Sequence, residues 1–337
     1  MEDVNHSQFK IIMIKDKSAM QNLNRNDRVA VCSRSFSKNP VLRSELLARY
    51  QHVTFNDAGN SLEGDSLVEF LSGHSKAIVA LEIINESILS KLPELRVISK
   101  YGVGLDKIDL AAVQSLGKRL SWTGGVNRRS VSELVVSFAI AMLRHIPAAN
   151  REVLSGKWNQ HVGNYLTGRT VGIIGCGHIG KDVVHLLKPF DCRVLVNDIR
   201  NYTDFYEAND IEAVSLETLL GQSDIITLHV PLDDSTRNML NADRLRLIRP
   251  SVVLINTARG GQIDEAELKK MLMDKRLAAA AFDVFAEEPP RDTELLQLPN
   301  FLVTPHIGGS AQEAILSMGR AAIDGLDNDN GTELSVN

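Results

Sequence analysis

The stretch TVGIIGCGHIG, residues 170–180, is the most informative part of the 337-residue chain for its fold. An apolar run, TVGII, is followed by Gly175, Gly177 and Gly180 in the spacing G-x-G-x-x-G, and then by the amphipathic segment KDVVHLLKPF. Glycines at this spacing allow a sharp turn after a strand and close packing of the following helix on that strand. The stretch therefore predicts a strand, a tight turn and a helix in an α/β fold.

The same loop predicts a dinucleotide site. Without a side chain at Gly177, backbone N–H groups can approach a pyrophosphate, and the N-terminus of the following helix adds positive potential. Asp198 ends the next predicted strand, where its carboxylate can accept hydrogen bonds from an adenosine ribose. Because a carboxylate repels a 2′-phosphate, we expect NAD(H) rather than NADP(H), although Arg200 weakens this preference.

Short β-branched runs alternate with helical segments along most of the chain, which is typical of α/β proteins. From residue 170 onwards the runs are continuously apolar, as expected of parallel strands covered on both faces. The predicted strands are 28–34, 52–55, 77–81, 95–102, 170–175, 193–198, 224–230, 251–257, 277–284 and 301–305.

Three helix starts carry sequence signals. Asn39 and Pro40 predict an N-cap and a first helical position. Ser130 and Glu133 predict a capping box for the long segment 130–146, and Ser310 with Glu313 predicts another for the last helix. The segment 130–146 is more apolar than a solvated helix needs, so we expect it to pack between domains or subunits.

Composition excludes several functional classes. The length suits two domains. The net charge of −5 leaves no basic stripe for nucleic acid, and no apolar run approaches the length of a membrane span. The three cysteines are widely spaced and suggest neither a disulfide framework nor a metal site, so we expect a cytoplasmic protein with free thiols.

Polar residues lie at or just beyond the ends of four of the predicted strands. Because parallel strands end at one edge of their sheet, we expect these side chains to share that edge. In chain order they are His229, Thr257 to Arg259, Asp283, Glu288 and His306. Three of these have a structural alternative: Arg259 as a surface arginine, Glu288 as part of a solvated glutamate pair at 287–288, and His306 as a packed core histidine.

Seven ordered motifs resemble the D-isomer-specific 2-hydroxyacid dehydrogenases, from about residue 75 to the end. They are KYGVGLDKIDL, NRRSVSELVV, GRTVGIIGCGHIGK, LHVPLDDSTRNML, LINTARGGQIDE, AAFDVFAEEPP and VTPHIGGSAQEA. NRRSVSELV, RHIPAANREVLSGKWN and the tail NGTELSVN look most like phosphoglycerate dehydrogenases. The resemblance implies two Rossmann-like, doubly wound parallel domains, with an NAD-binding domain at 124–308 inserted into a flavodoxin-like substrate domain at 1–123 plus 309–337. It also implies a homodimer, which we expect to use the helix 130–146, and no C-terminal regulatory domain.

The resemblance also implies roles for single residues. Arg259, Glu288 and His306 would be catalytic, and Val103, Gly104, Asn127 and Arg259 would bind the substrate. The implied cofactor positions are Gly175, Gly177, His178, Ile179, Gly180, Asp198, His229, Val230, Pro231, Thr257, Ala258, Asp283, Gly308 and Gly309, with Asp283 on the nicotinamide side. The chemistry fits these residue types independently. An imidazole titrating near pH 6.5 can exchange the hydroxyl proton, a carboxylate can orient it, and a forked guanidinium can bind the substrate carboxylate.

The substrate is less determined. Phosphoglycerate dehydrogenases carry a basic residue about where this chain has Glu82, whose carboxylate would repel a phosphate. Arg128 and Arg129 are the nearby cations that could compensate. We therefore expect a small 2-hydroxy or 2-oxo acid, with 3-phosphoglycerate and hydroxypyruvate as candidates. Two alternatives remain: an NAD(H)-binding sensor or interaction protein on the same fold, and a dehydrogenase of a different small acid, such as formate or phosphite.

Overall fold

A computed structural model describes residues 26–327. These residues form two compact units: unit 1 consists of 26–126 and 315–327, and unit 2 of 127–314. The bounds predicted from the sequence were 1–123 with 309–337 and 124–308. The tail NGTELSVN, which contributes to the family resemblance, lies outside the described residues.

Unit 1 is built on a five-stranded parallel sheet in the order β2-β1-β3-β4-β5, which is the flavodoxin-like order. Its strands are β1 (Arg28–Val31), β2 (His52–Phe55), β3 (Lys76–Val79), β4 (Val97–Lys100) and β5 (Arg119–Ser121). Its helices are α1 (Arg34–Lys38), α2 (Pro40–Arg49), α3 (Gly64–Leu71), α4 (Glu86–Leu89) and α5 (Leu110–Ser115). The sheet confirms the predicted doubly wound α/β fold for this part of the chain.

Unit 2 contains a seven-stranded parallel sheet in the order β12-β11-β10-β9-β6-β7-β8. Its strands are β6 (Thr170–Ile174), β7 (Arg193–Asn197), β8 (Ile211–Ala213), β9 (Ile225–Leu228), β10 (Val253–Asn256), β11 (Ala279–Phe282) and β12 (Phe301–Val303). Successive strands are added on one side of β6 up to β8 and on its other side from β9 onwards, so the strand order reverses between β6 and β9. Ligands of such sheets bind beyond the carboxyl ends of the strands at this point. The glycine-rich loop directly follows β6.

The helices of unit 2 cover both faces of this sheet. They are α6 (Arg128–Leu143), α7 (Ile146–Leu154), α8 (His178–Leu187), α9 (Thr203–Asn209), α10 (Leu216–Gln222), α11 (Ala242–Leu245), α12 (Glu265–Met273) and α13 (Thr293–Gln297), with a 3₁₀ turn at Lys188–Phe190. The last described helix, α14 (Gln312–Asp327), begins in unit 2 and continues into unit 1, where Ala322, Ile323 and Leu326 join the core of β1 and β3.

Helix α6 differs from its prediction. It begins at Arg128 with Asn127 as N-cap, so Ser130 and Glu133 lie inside the helix and the predicted capping box is wrong. Its buried face, which includes Val135, Phe138 and Met142, packs within unit 2 against α8, β10 and β11. The apolar character of this face is therefore explained inside the unit and does not by itself require a subunit interface.

The other two predicted helix starts have opposite outcomes. The Asn39 side chain accepts hydrogen bonds from the N–H groups of Val41 and Leu42, both at 3.1 Å, which confirms the predicted N-cap. The last helix begins at Gln312, two residues beyond the predicted Ser310, whose own N–H donates to the carbonyl of Ile307 at 2.8 Å. Ser310 is thus held in the preceding turn.

No single helix between residues 26 and 327 is long and apolar enough to cross a membrane. Helices α6 and α7 meet the criterion only as a pair, by length and composition, and they are bent by 64° with respect to each other.

Candidate active site

The three glycines of the loop after β6 have distinct roles. Gly175 has a φ of +94°, and a Cβ there would lie 2.8 Å from the His229 carbonyl at the end of β9. A Cβ at Gly180 would lie 2.2 Å from the Gly175 carbonyl, so helix α8 packs directly on the turn. A Cβ at Gly177 would meet nothing within 4 Å. The loop is therefore tightly packed on one side and open at Gly177, where the backbone can approach a ligand.

Asp198 braces this loop. Its Oδ2 accepts a hydrogen bond from the Cys176 N–H at 2.5 Å, and its Oδ1 accepts one from the Arg200 N–H at 2.8 Å. The carboxylate was predicted to contact a ribose, and each oxygen retains acceptor capacity after these bonds. His178 and Ile179 form the first turn of α8, whose N-terminus faces the open side of the loop.

Buried polar atoms without partners mark the strand ends around the loop. Within the described residues, Nδ1 of His229 and Oγ1 of Thr257, at the ends of β9 and β10, are buried and have no hydrogen-bond partner. The same holds for Oδ1 of Asn127, the N-cap of α6, which was predicted to border the substrate. Leaving such a group unpaired costs roughly 1–3 kcal/mol, which a bound ligand can recover. Burial also lowers the pKa of His229 to about 3, so this ring is neutral. Together with the open glycine loop, the unpartnered polar atoms of His229 and Thr257 fit a bound NAD.

Val230 and Pro231, two further predicted cofactor positions, are held by a residue that the sequence did not single out. The buried Gln262 donates from Nε2 to the carbonyls of Val230 and Pro231, at 2.9 and 3.0 Å. Ala258 is buried, and its N–H donates to the Asn256 side chain at 3.0 Å. These bonds order the loops after β9 and β10.

His306 and Glu288 are in direct contact. Nδ1 of His306 lies 2.9 Å from Oε2 of Glu288, and both side chains are nearly half exposed, at 49% and 40%. The core-histidine alternative is therefore wrong, since a packed histidine would be buried. With Nδ1 engaged by the carboxylate, Nε2 is the ring nitrogen available for proton transfer.

Asp283 organises the backbone at His306. Its buried carboxylate accepts hydrogen bonds from the N–H groups of Ile307 and Gly308, both at 2.7 Å, and from the Thr304 hydroxyl. Its carbonyl accepts from the His306 N–H at 2.9 Å. These contacts commit the Asp283 carboxylate to the loop that carries His306, and the nicotinamide side stays a prediction for this residue.

Gly308 and Gly309 continue the same loop. A Cβ at Gly308 would lie 3.0 Å from Oδ2 of Asp283, so this position is closely packed. The Gly308 carbonyl accepts a hydrogen bond from the Ser130 hydroxyl at 2.6 Å, which ties helix α6 to the loop. Ser130 had been assigned to a helix cap, so this connection was missed.

The loop after β10 places Arg259 next to the loop of Glu288. The Arg259 guanidinium donates to the Ala258 carbonyl at 2.8 Å, and the Arg259 carbonyl accepts from the Asn256 side chain at 2.8 Å. A Cβ at Gly260 would lie 1.8 Å from the carbonyl carbon of Phe285, so the two backbones are in contact. The loops of Arg259, Glu288 and His306 are therefore contiguous at the carboxyl edge of β10, β11 and β12.

A cavity of about 490 Å³ adjoins the His306–Glu288 pair. Its walls are largely apolar, with Phe285, Pro289, Pro290, Leu296, Val303 and Pro305 among them. Among residues 26–327 no cluster of three or more His, Cys, Asp or Glu side chains is arranged to hold a metal ion.

Val103 and Gly104 belong to unit 1, in the loop after β4. The Val103 carbonyl accepts a hydrogen bond from the Trp122 indole at 2.9 Å. At the neighbouring end of β3, Oε2 of Glu82 accepts a hydrogen bond from the Ala80 N–H at 2.6 Å, and the Lys100 ammonium donates to the Ala80 carbonyl. A carboxylate and a cation thus lie together at the carboxyl edge of this sheet.

Comparison with known proteins agrees with these observations. Residues 136–308 match the family described as D-isomer specific 2-hydroxyacid dehydrogenase, NAD binding domain. The chain is 36% identical to hydroxypyruvate reductase of Thermotoga maritima, over 75% of its own length and 84% of that protein, and 35% identical to glycerate dehydrogenase of Methylorubrum extorquens, over 78% and 85%. D-3-phosphoglycerate dehydrogenase of Methanocaldococcus jannaschii is 36% identical, but the match covers only 45% of that longer protein.

Solved structures show the same relationship. A D-isomer specific 2-hydroxyacid dehydrogenase from Polaromonas superposes with a TM-score of 0.82 at 30% identity, covering 90% of this chain and 96% of that one. The pyruvate reductase of Chlamydomonas reinhardtii superposes with a TM-score of 0.79 at 26% identity, covering 91% and 97%. The chain belongs to the D-isomer-specific 2-hydroxyacid dehydrogenase family and is an NAD-dependent oxidoreductase of that family.

Proposed function

We propose that this enzyme interconverts a small, unphosphorylated D-2-hydroxy acid and its 2-oxo acid, with His306 as the acid/base, Glu288 as its orienting carboxylate and Arg259 as the ligand of the substrate carboxylate. The observation that carries the proposal is the 2.9 Å contact between His306 and Glu288 at an accessible strand end. Bound NAD supplies the chemistry of hydride acceptance and donation at its nicotinamide.

The side chains of this site have separate roles in proton transfer, orientation and binding. Nε2 of neutral His306 takes the C2 hydroxyl proton during oxidation and returns it during reduction. Glu288 keeps the ring oriented through Nδ1 and stabilises the imidazolium, as in other oriented bases. The permanently charged guanidinium of Arg259 binds the substrate carboxylate and polarises the adjacent carbonyl. The glycine loop, Asp198 and Thr257 hold NAD, and Val103, Gly104 and Asn127 border the substrate.

Glu82 supports an unphosphorylated substrate. Its carboxylate lies at the carboxyl edge of the unit 1 sheet, as Val103 and Gly104 do. The charge of Glu82 disfavours a phosphate there, and the nearby Lys100 ammonium offsets part of that repulsion. The relatives matched over most of their length also carry names that refer to unphosphorylated acids, hydroxypyruvate and glycerate. Hydroxypyruvate or an acid of similar size is therefore our first candidate, ahead of 3-phosphoglycerate.

A substrate screen tests this proposal. NADH oxidation is measured with glyoxylate, pyruvate, hydroxypyruvate and 3-phosphohydroxypyruvate as substrates. We expect the highest kcat/KM among the first three, and a gain of at least about tenfold for the phosphorylated acid in Glu82→Arg. A wild-type preference for the phosphorylated acid would contradict the substrate assignment. Failure with all four would favour an NAD(H)-binding role without turnover.

We also infer a homodimer. Four large apolar side chains in and after helix α7 are exposed: Leu154 at 79%, Trp158 at 82%, Val162 at 94% and Tyr165 at 78%. We call this set the 154–165 surface. Isolated exposed apolar residues are common, but four large ones within residues 154–165 favour an interaction surface. Helix α6, which we expected at the interface, is separated from this surface in the chain by most of helix α7.

We propose a cytoplasmic location. Cys32 and Cys176 are buried and Cys192 is half-buried, and all three are free thiols. Burial raises the pKa of Cys176 to about 12, so this side chain stays a protonated thiol. Free thiols without disulfides are typical of a reducing compartment. Localisation of a tagged chain in cell fractions tests the assignment.

A further inference from the structure

The loop that carries Glu288 is attached to the fold by a second carboxylate. The N–H of Ala286 donates to Oε1 of Glu265 at 2.9 Å, and Glu265 occupies the first turn of helix α12. This bond and the contact of Glu288 with His306 join residues 285–288 to other elements, while the Glu287 carboxylate pairs locally with Arg291 at 2.7 Å. The side chains from Ala286 to Glu288 are exposed, so packing contributes little to holding this part of the loop.

The orientation of Glu288 depends on the same short stretch of backbone. Its Oε1 accepts a hydrogen bond from the Phe285 N–H at 3.2 Å, while its Oε2 contacts His306. The peptide between Phe285 and Ala286 is in contact with the backbone of Gly260 and is held by Glu265 at its N–H. A shift of this peptide would therefore move the carboxylate that orients the imidazole.

The surroundings of Glu265 disfavour its charged carboxylate unless that carboxylate makes a specific hydrogen bond. Burial, and secondarily the charge of Asp292, raises the pKa of Glu265, while the Ala286 N–H opposes this shift. Asp292 is itself paired with Lys269 of helix α12 at 2.8 Å. A half-buried carboxylate near another acid is costly unless it makes a specific bond, and the bond that Glu265 makes is to the Glu288 loop.

We propose that Glu265 is a positioning residue for the reaction: through the Ala286 N–H, it holds Glu288 in contact with His306. This inference rests on the roles proposed above for Glu288 and His306. Glu265 therefore affects proton transfer by His306 without taking part in it, and its loss should lower kcat with little effect on NADH binding.

Matched substitutions at Glu265 distinguish the effect of its side-chain length from the effect of its charge. Glu265→Gln keeps an oxygen acceptor at the same distance and should retain near-normal kcat. Glu265→Asp keeps the charge but shortens the side chain, and Glu265→Ala removes the acceptor; both should lower kcat by roughly 10- to 100-fold, because small misplacements of catalytic groups have effects of this size. Glu267→Ala is the control, since Glu267 lies on the same helix and pairs with Arg276 at 3.0 Å.

A double substitution tests the route through Glu288. If Glu265 acts only by positioning that carboxylate, Glu265→Ala should cause no further loss of kcat in a Glu288→Gln background. Two losses that multiply would overturn the proposal, because they would indicate an independent structural effect. Equal kcat in wild type, Glu265→Ala and Glu265→Asp would overturn it as well.

Hydrogen exchange measures the anchoring without any substrate. The Ala286 amide should exchange faster in Glu265→Ala and Glu265→Asp than in wild type, Glu265→Gln or Glu267→Ala. If the wild-type protein reduces none of the 2-oxo acids, the proposed function fails. The exchange rate of the Ala286 amide still shows whether Glu265 holds the loop. Unchanged exchange in Glu265→Ala would overturn the inference even in an active enzyme.

Discussion

The backbone at His306 has a φ of +54°, in the left-handed region. This conformation costs a residue with a Cβ roughly 1–2 kcal/mol, and Asp283 maintains it through its bonds to the loop. Backbone strain at an exposed strand end is common at functional sites, where it orients a side chain. Here the oriented side chain is the imidazole in contact with Glu288.

His306→Asn is the most direct test of the acid/base role. Asparagine adopts left-handed conformations more readily than most residues, so the loop should persist while the imidazole is removed. We expect turnover of the 2-oxo acid to fall by ~10²–10⁴ and NADH affinity to change little. Steady-state NADH oxidation measures the first and a fluorescence titration the second. Near-normal turnover would remove the assignment.

His229 predicts a pH dependence of stability. Its pKa is lowered by burial from 6.5 to about 3, so between these values the unfolded chain binds one proton that the folded chain does not. The free energy of unfolding should therefore decrease as the pH falls below about 6.5, by at most roughly 1.4 kcal/mol per pH unit. Urea unfolding of the cofactor-free protein at pH 7, 6 and 5 measures this slope.

His229→Gln should reduce that slope, because it removes the titrating ring. His178→Gln is the matched control, since His178 is exposed in the first turn of α8. Identical slopes in wild type and His229→Gln would show that another group causes the acid sensitivity.

At the scale of elements, the junction of β6 and α8 makes separable predictions for two glycines. Gly180→Ala would place a Cβ 2.2 Å from the Gly175 carbonyl and should destabilise the apo protein by about 1–3 kcal/mol. Gly177→Ala meets no neighbour within 4 Å, so the stability of the apo protein should be preserved. NADH binding should nevertheless weaken by at least about tenfold, because the methyl group occupies the side that the pyrophosphate approaches.

Chemical denaturation and NADH titration of both variants check these expectations together. Unchanged NADH affinity in Gly177→Ala would mean that the dinucleotide does not approach the loop at this position. Unchanged stability in Gly180→Ala would mean that helix α8 can move away from the turn at little cost.

Most elements were predictable from the sequence because their strands are buried on both faces and read as continuous apolar runs. The two strands that were missed, β5 and β8, have three residues each and lie at the ends of their sheets. Edge strands of this length carry little hydrophobic pattern. The capping box at Ser130 was wrong for a different reason: the hydroxyl bonds to Gly308, a contact that no local pattern reveals.

At the scale of the whole molecule, parallel topology explains how much of the candidate site was predictable. Residues that follow successive parallel strands must meet at one edge, so Glu288 and His306 were expected near each other and are in contact. The residues that hold these loops were not predictable. Gln262 and Glu265 act through backbone groups of other loops, and hydrogen bonds to backbone leave no signature in the identity of the partner residue. Asp283 was predicted at this edge, but its bonds to the loop of His306 were not.

The 154–165 surface leads to a prediction about the oligomeric state, because we expect the dimer interface to bury its apolar side chains. Burying a large apolar side chain contributes about 1.5–3 kcal/mol, and a stable interface removes roughly 800 Å² per partner from solvent. We expect the wild-type protein to be a dimer at micromolar concentration, and the double variant Leu154→Glu/Trp158→Glu to be a folded monomer. Leu47→Glu in helix α2, at a residue 49% exposed, is the control and should remain dimeric. Light scattering distinguishes the outcomes; a monomeric wild type would refute the homodimer, and a dimeric double variant would place the interface elsewhere.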